Sequence, residues 1–257
     1  MLAPAGLPDS HARWWYMSAR SGWISAVMYW YKAVTAQGGY GSSMATSSQG
    51  NRRAVKVSWA TYRESIGDRS PLFAEVARAW APKRALYAGS YVDLSPATAI
   101  PAVTFLDMDR RAAKYFAESD LVASELEGRV APKQTPEVDF VQGVYTAPLD
   151  VPEQGFDLLI SLYAGPVWDH CQQYLVSGGL LLANTSHGDA SIAALDPRLT
   201  LVGVVQHRDG VWTLSDSALD EYLIPKKPAL ADADLIRADG RGLSYTKRAW
   251  AYLFQLE

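Results

Sequence analysis

From residue 84 onward, short apolar runs alternate with amphipathic stretches. Ala85–Ala88, Val103–Leu106, Val138–Gln142, Leu158–Leu162 and Leu180–Asn184 read as strands. Helices are predicted around Ser95–Ala99, over Arg111–Ala123 and over Trp168–Leu175. The runs Asp157-Leu158-Leu159-Ile160-Ser161-Leu162 and Gly179-Leu180-Leu181-Leu182-Ala183-Asn184 are continuously apolar rather than alternating. That is the pattern of parallel strands covered on both faces. Gly178-Gly179, after Tyr174-Leu175, predicts a helix stop feeding a strand. Beyond Ala190 the rhythm changes. Thr200–Gln206 and Val211–Leu214 flank His207-Arg208-Asp209-Gly210, a hairpin signal, and Ala249–Leu256 predicts a last strand. The pattern describes an α/β chain whose mostly parallel sheet carries helices on both faces and finishes antiparallel.

The first 80 residues follow another pattern. Trp14, Trp15, Tyr16, Trp23, Tyr29, Trp30 and Tyr31 make a dense aromatic, helix-like segment. It runs into Gln37-Gly38-Gly39-Tyr40-Gly41-Ser42-Ser43 and further small polar residues up to Gly50, a stretch read as either disordered or a functional lid. Trp59–Ile66 and Pro71–Trp80 then predict two amphipathic helices, the second with Leu72, Val76, Ala79 and Trp80 on one face and Pro82 closing it. The expected organisation is an N-terminal aromatic-rich helical cap over 1–80 and an α/β domain over 81–257.

Composition narrows the function classes. The chain has 257 residues, 49% apolar and 20% charged, and a net charge of -3. No basic stripe appears, so nucleic acid is not the expected partner. A single cysteine, Cys171, excludes an intrachain disulfide and fits a reducing, cytoplasmic setting. No apolar run reaches the length of a membrane span, and the start lacks the pattern of a signal peptide. Four scattered histidines (His11, His170, His187, His207) and one cysteine support no metal site.

The most informative stretch is Ala85-Leu86-Tyr87-Ala88-Gly89-Ser90-Tyr91-Val92-Asp93, followed by Val103-Thr104-Phe105-Leu106-Asp107-Met108-Asp109. It reads as strand, glycine turn, helix, and a second strand ending in acid. Gly89 and Asp107 stand near the ~20-residue spacing at which nucleotide-binding α/β units place a carboxylate on a ribose diol. With Asp157 opening a later strand and Tyr174-Leu175-Val176-Ser177-Gly178-Gly179-Leu180-Leu181 preceding the fifth, the order resembles the class I S-adenosylmethionine-dependent methyltransferases over roughly residues 84–257.

The resemblance implies a seven-stranded Rossmann-like sheet with an antiparallel last strand, and S-adenosylmethionine as cofactor. Carried over residue by residue, it implies cofactor contacts from Gly89, Ser90, Tyr91, Asp107, Met108, Tyr145 and Ser161. The chain departs from the family's glycine motif: Tyr87 stands where an acid is usual, and Tyr91 and Asp93 take the places of the second and third glycines. Tyr91 would crowd a cofactor lying on the turn unless the turn runs differently.

Ligands of open α/β sheets sit outside the carboxyl ends of the strands. That edge offers His187, Asp189 and Tyr163 as candidate catalytic groups and Asn184 as a substrate contact. Asp189 has a plainer alternative, the N-cap of a helix over Ala190–Leu195. Asp107 could serve a helix start instead, although Asp109 is better placed for that. Ser90 could present backbone N–H donors to an anion or be an ordinary turn serine, and Asp93-Leu94-Ser95-Pro96 marks a helix start. Tyr16, Trp23, Tyr62 and Arg69 are the candidates from the aromatic cover, which is either core packing or a lid able to hold a cation. Cys171 reads as an inert buried thiol.

The expected function is methyl transfer to a small molecule. The rivals are ring closure or elimination on the same fold and a non-catalytic partner protein; a homo-oligomer or protein partner stays open.

Overall fold

A computed structural model of the chain describes residues 57–131 and 134–257, all within one compact unit, Val55–Glu257. Tyr16, Trp23 and the aromatic segment around them lie outside the described residues. Helix α1 (Trp59–Ile66) starts where the Ser58 side chain accepts the Thr61 amide, and α2 (Ser70–Trp80) carries proline in its first turn. Both match their expected spans because cap, period and stop agree. Trp59 of α1 and Leu72, Phe73 and Val76 of α2 are buried in the core of the sheet.

The strands are β1 (Arg84–Ala88), β2 (Ala102–Asp107), β3 (Glu137–Gln142), β4 (Phe156–Ser161), β5 (Leu175–Ala183), β6 (Leu199–Arg208), β7 (Val211–Ser215) and β8 (Ala251–Leu256). They form one sheet in the order β3-β2-β1-β4-β5-β8-β6-β7. The first five are mutually parallel, and β8 enters antiparallel between β5 and β6. The sheet has one strand more than the seven expected, because the hairpin at His207–Gly210 folds β7 back on β6 as an extra edge. Side chains alternate between two cores. Ala85 and Tyr87 of β1 enter one, while Leu86 and Ala88 enter the other, as the two-residue period of a strand dictates.

Two expectations need correction. The helix expected over Arg111–Ala123 is two helices, α3 (Arg110–Phe116) and α4 (Ser119–Leu126). Phe116 turns onto the sheet to stack on Phe105 and Phe140, with centroids 4.9 and 4.7 Å apart, and the chain restarts after Glu118. Gly178-Gly179 is not a helix stop. Helix α5 (Val167–Cys171) gives way to a 3-10 turn, Gln172–Tyr174, and β5 already begins at Leu175. Between the pairs Phe156↔Leu175 and Leu158↔Leu180, β5 spends five positions where β4 spends two, so the glycines sit in a bulge. Two further helices, α6 (Asp189–Ala193) and α7 (Ala233–Asp239), precede β6 and β8. Arg237 of α7 grips Asp169 of α5 through Nε and Nη2 at 2.7 and 2.8 Å. No helix among the described residues is long and apolar enough to cross a membrane.

Candidate ligand site at the carboxyl edge of the sheet

The strand order reverses between β1 and β4, so the connections leaving their carboxyl ends cross opposite faces of the sheet and open a crevice there. The turn after β1 is tightly tied down. The amides of Gly89 and Ser90 both donate to the Leu106 carbonyl, at 2.8 and 3.3 Å. They are therefore spent, and Ser90, itself buried, does not offer the anion-binding amide that its position suggested. Tyr91 takes a left-handed φ of 46° and its amide donates to Asp107 Oδ2 at 2.7 Å. The Tyr91 ring lies edge-on to Tyr62, centroids 5.1 Å apart, with the Arg111 guanidinium 5.4 Å from its centre.

Asp107 ends β2, half-buried. Its Oδ1 accepts the Asp109 amide at 2.8 Å. Burial raises its pKa, against the amides of Asp109, Tyr91 and Met108, which lower it. A carboxylate offers about four acceptor positions, so beside the three amides about one remains for a ribose hydroxyl. Asp109 has the capping role, accepting the Arg111 amide at 2.7 Å. Next to Asp107, Met108 is 66% exposed, and Val144 beyond β3 is 41% exposed. Two apolar side chains thus flank the carboxylate at the surface.

Gly89 meets the exit of β4. A Cβ at Gly89 would stand 2.5 Å from Cβ of Ala164, and its φ is 70°. The bare glycine face is therefore filled by the chain itself. Several groups hold this β4 exit. Tyr145 donates to the Gly165 carbonyl at 3.1 Å and accepts the Gly165 amide at 3.4 Å. Asn184, buried, accepts the amides of Tyr163 and Ser186 at 3.3 and 3.2 Å. Tyr145 and Asn184 thus brace loops.

Asp189 is fully buried and accepts the Trp168 amide, capping α5 rather than its own helix, whose N-cap is Gly188. Its carboxyl is pushed up to about 6 by burial, against hydrogen bonds from Ser161 and the Trp168 amide. Beside it, burial pushes the Cys171 thiol up to about 12, an inert form. His187 is half-buried, and burial holds its pKa below the ordinary 6.5, so the imidazole is neutral at pH 7. Tyr163, 42% exposed with φ 62°, presents its ring at the edge against Trp250, centroids 5.9 Å apart.

The sequence reading set Arg69 in the aromatic cover but missed its partners beneath this edge. Arg69, 5% exposed, pairs with fully buried Asp93 at 3.0 Å, and Nη1 also reaches the Tyr87 hydroxyl at 3.4 Å. Burial opposes the Arg69 charge, but Tyr87, Asp93 and Tyr62 outweigh it and its pKa stands above the ordinary value. Tyr87, in the place of the usual acid, thus serves Asp93. Trp250 falls within the stretch read as the last strand, Ala249–Leu256, but the strand begins only at Ala251, so Trp250 stands in the loop before β8 and gains its position through the sheet. Among the described residues no cluster of His, Cys, Asp or Glu side chains could hold a metal ion.

Five parallel strands in the order 3-2-1-4-5, continued by an antiparallel last strand, make this topology specific. The fold is that of the class I methyltransferases. No protein-family model matches the sequence, and no curated protein is significantly similar to it. Among solved structures, the chain is similar to the N-methyltransferase NodS from Bradyrhizobium japonicum in complex with S-adenosyl-L-homocysteine (15% identity, 76% of this chain, 86% of that one, TM-score 0.40). It is also similar to a methyltransferase from Geobacter sulfurreducens (15%, 57% and 80%, 0.40). A third similarity is to the 16S rRNA methylase RmtB (14%, 77% and 66%, 0.43). The fold rests on strand order; scores of this size add nothing to it.

Proposed function

We propose that this chain is an S-adenosylmethionine-dependent methyltransferase acting on a small molecule. The observation that carries the reading is Asp107, a half-buried carboxylate with spare acceptor capacity at the end of β2, beside the point where the strand order reverses. In this reading Asp107 accepts one ribose hydroxyl, and Met108 and Val144 form an apolar slot for the adenine. The cofactor, when bound, supplies an electrophilic methyl group on a sulfonium. The chain's own residues then orient the acceptor and exclude water, which needs little side-chain chemistry. Tyr62, Tyr163 and Trp250 wall the substrate side. His187, neutral at pH 7, is available to take a proton where the acceptor is a hydroxyl or an ammonium. The net charge of -3 favours a small-molecule acceptor over a nucleic acid.

The contact between Gly89 and Ala164 favours a second reading, an enzyme of this fold that has given up the cofactor, since it fills the glycine face on which a methionine chain would lie. Calorimetric titration with S-adenosylhomocysteine separates the two. Micromolar binding supports methyl transfer, and no binding by the folded protein supports the second reading.

A further inference from the structure

The guanidinium of Arg69 is fixed along one edge and, among the described residues, has no hydrogen-bond partner along the other. Nη1 is committed to Asp93 Oδ2 at 3.0 Å and to the Tyr87 hydroxyl at 3.4 Å. Asp93 has nothing left to give a ligand, because Oδ1 takes the Ser95 amide and hydroxyl at 3.1 and 2.6 Å, and Oδ2 takes Tyr87 as well as Arg69. Asp93 therefore acts as a clamp that sets the orientation of Arg69. On the other edge, Nε is buried without any hydrogen-bond partner, and Nη2 donates to none of the described residues.

A buried charged donor left without a partner is costly, and the Nε–Nη2 edge is a planar fork matched to two oxygens of one carboxylate. The Tyr163 and Trp250 rings both lie on one side of the guanidinium, with centroids 5.0 and 5.7 Å from its carbon. Arg69 thus bridges the β1 turn, through Asp93, and the substrate side of the crevice, through the exposed Tyr163.

We propose that the Nε–Nη2 fork of Arg69 binds a carboxylate carried by the methyl-accepting substrate, with the Tyr163 and Trp250 rings packing against an unsaturated or aromatic body. The assignment to the acceptor rests on the methyl-transfer reading; the anion site itself does not. The acceptor is then an aromatic or unsaturated carboxylic acid.

Benzoate and its neutral analogue benzamide are suitable probes, titrated against the full chain by tryptophan fluorescence. The wild type should bind benzoate about tenfold or more tightly than benzamide. Arg69→Lys keeps the charge facing Asp93 but removes the fork, and should weaken benzoate about tenfold or more. The double variant Arg69→Gln with Asp93→Asn leaves no lone buried charge and should behave alike, which covers the case in which Arg69→Lys does not fold.

Calorimetry with S-adenosylhomocysteine and 5′-methylthioadenosine completes the test. Affinity for both that is unchanged by Arg69→Lys supports the assignment to the acceptor. Loss of S-adenosylhomocysteine with retention of 5′-methylthioadenosine would give the fork to the cofactor's own carboxylate and overturn it. Equal benzoate and benzamide binding, or benzoate binding indifferent to Arg69→Lys, would overturn the site. Fork-dependent benzoate binding by a wild type that ignores S-adenosylhomocysteine would support the anion site and overturn methyl transfer instead.

Discussion

Replacing Asp189 with asparagine should remove a pH-dependent part of the stability. The carboxyl is fully buried, it accepts the Trp168 amide at 3.1 and 3.3 Å, and its pKa is pushed up from 3.8 to about 6. Because the folded value lies above the unfolded one, the folded protein keeps this proton between the two values while the unfolded chain has released it. The contribution to stability is thus undiminished below about pH 4, falls as pH rises through the window from about 4 to 6, and is level above it. A window about 2 pH units wide, at 1.36 kcal/mol per unit, corresponds to roughly 3 kcal/mol. Asparagine keeps an acceptor for the Trp168 amide but cannot ionise. Urea unfolding followed by tryptophan fluorescence, for wild type and variant from about pH 4 to pH 8, measures the difference directly. Stability of the variant minus that of the wild type should grow by about 3 kcal/mol between pH 4 and pH 7 and then level off. A difference independent of pH, or one growing toward acid, would refute the burial of an ionisable carboxylate here.

Three further substitutions test the carboxyl edge. Asp107→Ala should weaken S-adenosylhomocysteine about tenfold or more, measured by calorimetry; unchanged affinity would remove the ribose role. Gly89→Ala places a Cβ 2.5 Å from that of Ala164 at a φ of 70°. Left-handed strain of about 1–2 kcal/mol plus overpacking of about 1–3 should cost roughly 2–5 kcal/mol in urea unfolding, part of it recovered by adding Ala164→Gly. Tyr145→Phe removes the hydroxyl that joins the β3 exit to Gly165 and should cost about 1 kcal/mol. It should also raise hydrogen exchange at the Gly165 amide, and unchanged exchange would mean the loop is held without it.

The sequence by itself determined the succession of elements. Continuous apolar runs at β4 and β5 named buried parallel strands, the apolar period over Trp59–Ile66 and Pro71–Trp80 located α1 and α2, and the turn at Gly89 with the acid at Asp107 located the crevice. These features are legible because they arise from neighbours in the chain: alternation, capping and turn geometry act over a few residues. Side-chain partners were not legible, because they come from elements far apart in sequence. Asp189 read as a catalytic candidate or as the cap of its own helix and instead caps α5, which β4 and β5 carry beside it. Asp93 read as part of a helix start, yet it is also the buried counterion of Arg69, which reaches it from the start of α2. Trp250 read only as part of the last strand, and the antiparallel insertion of β8 sets it against Tyr163. Only the tertiary structure decided that the free glycine face meets Ala164 and that Arg69 keeps one edge unpaired, since both depend on how closely separate strands approach.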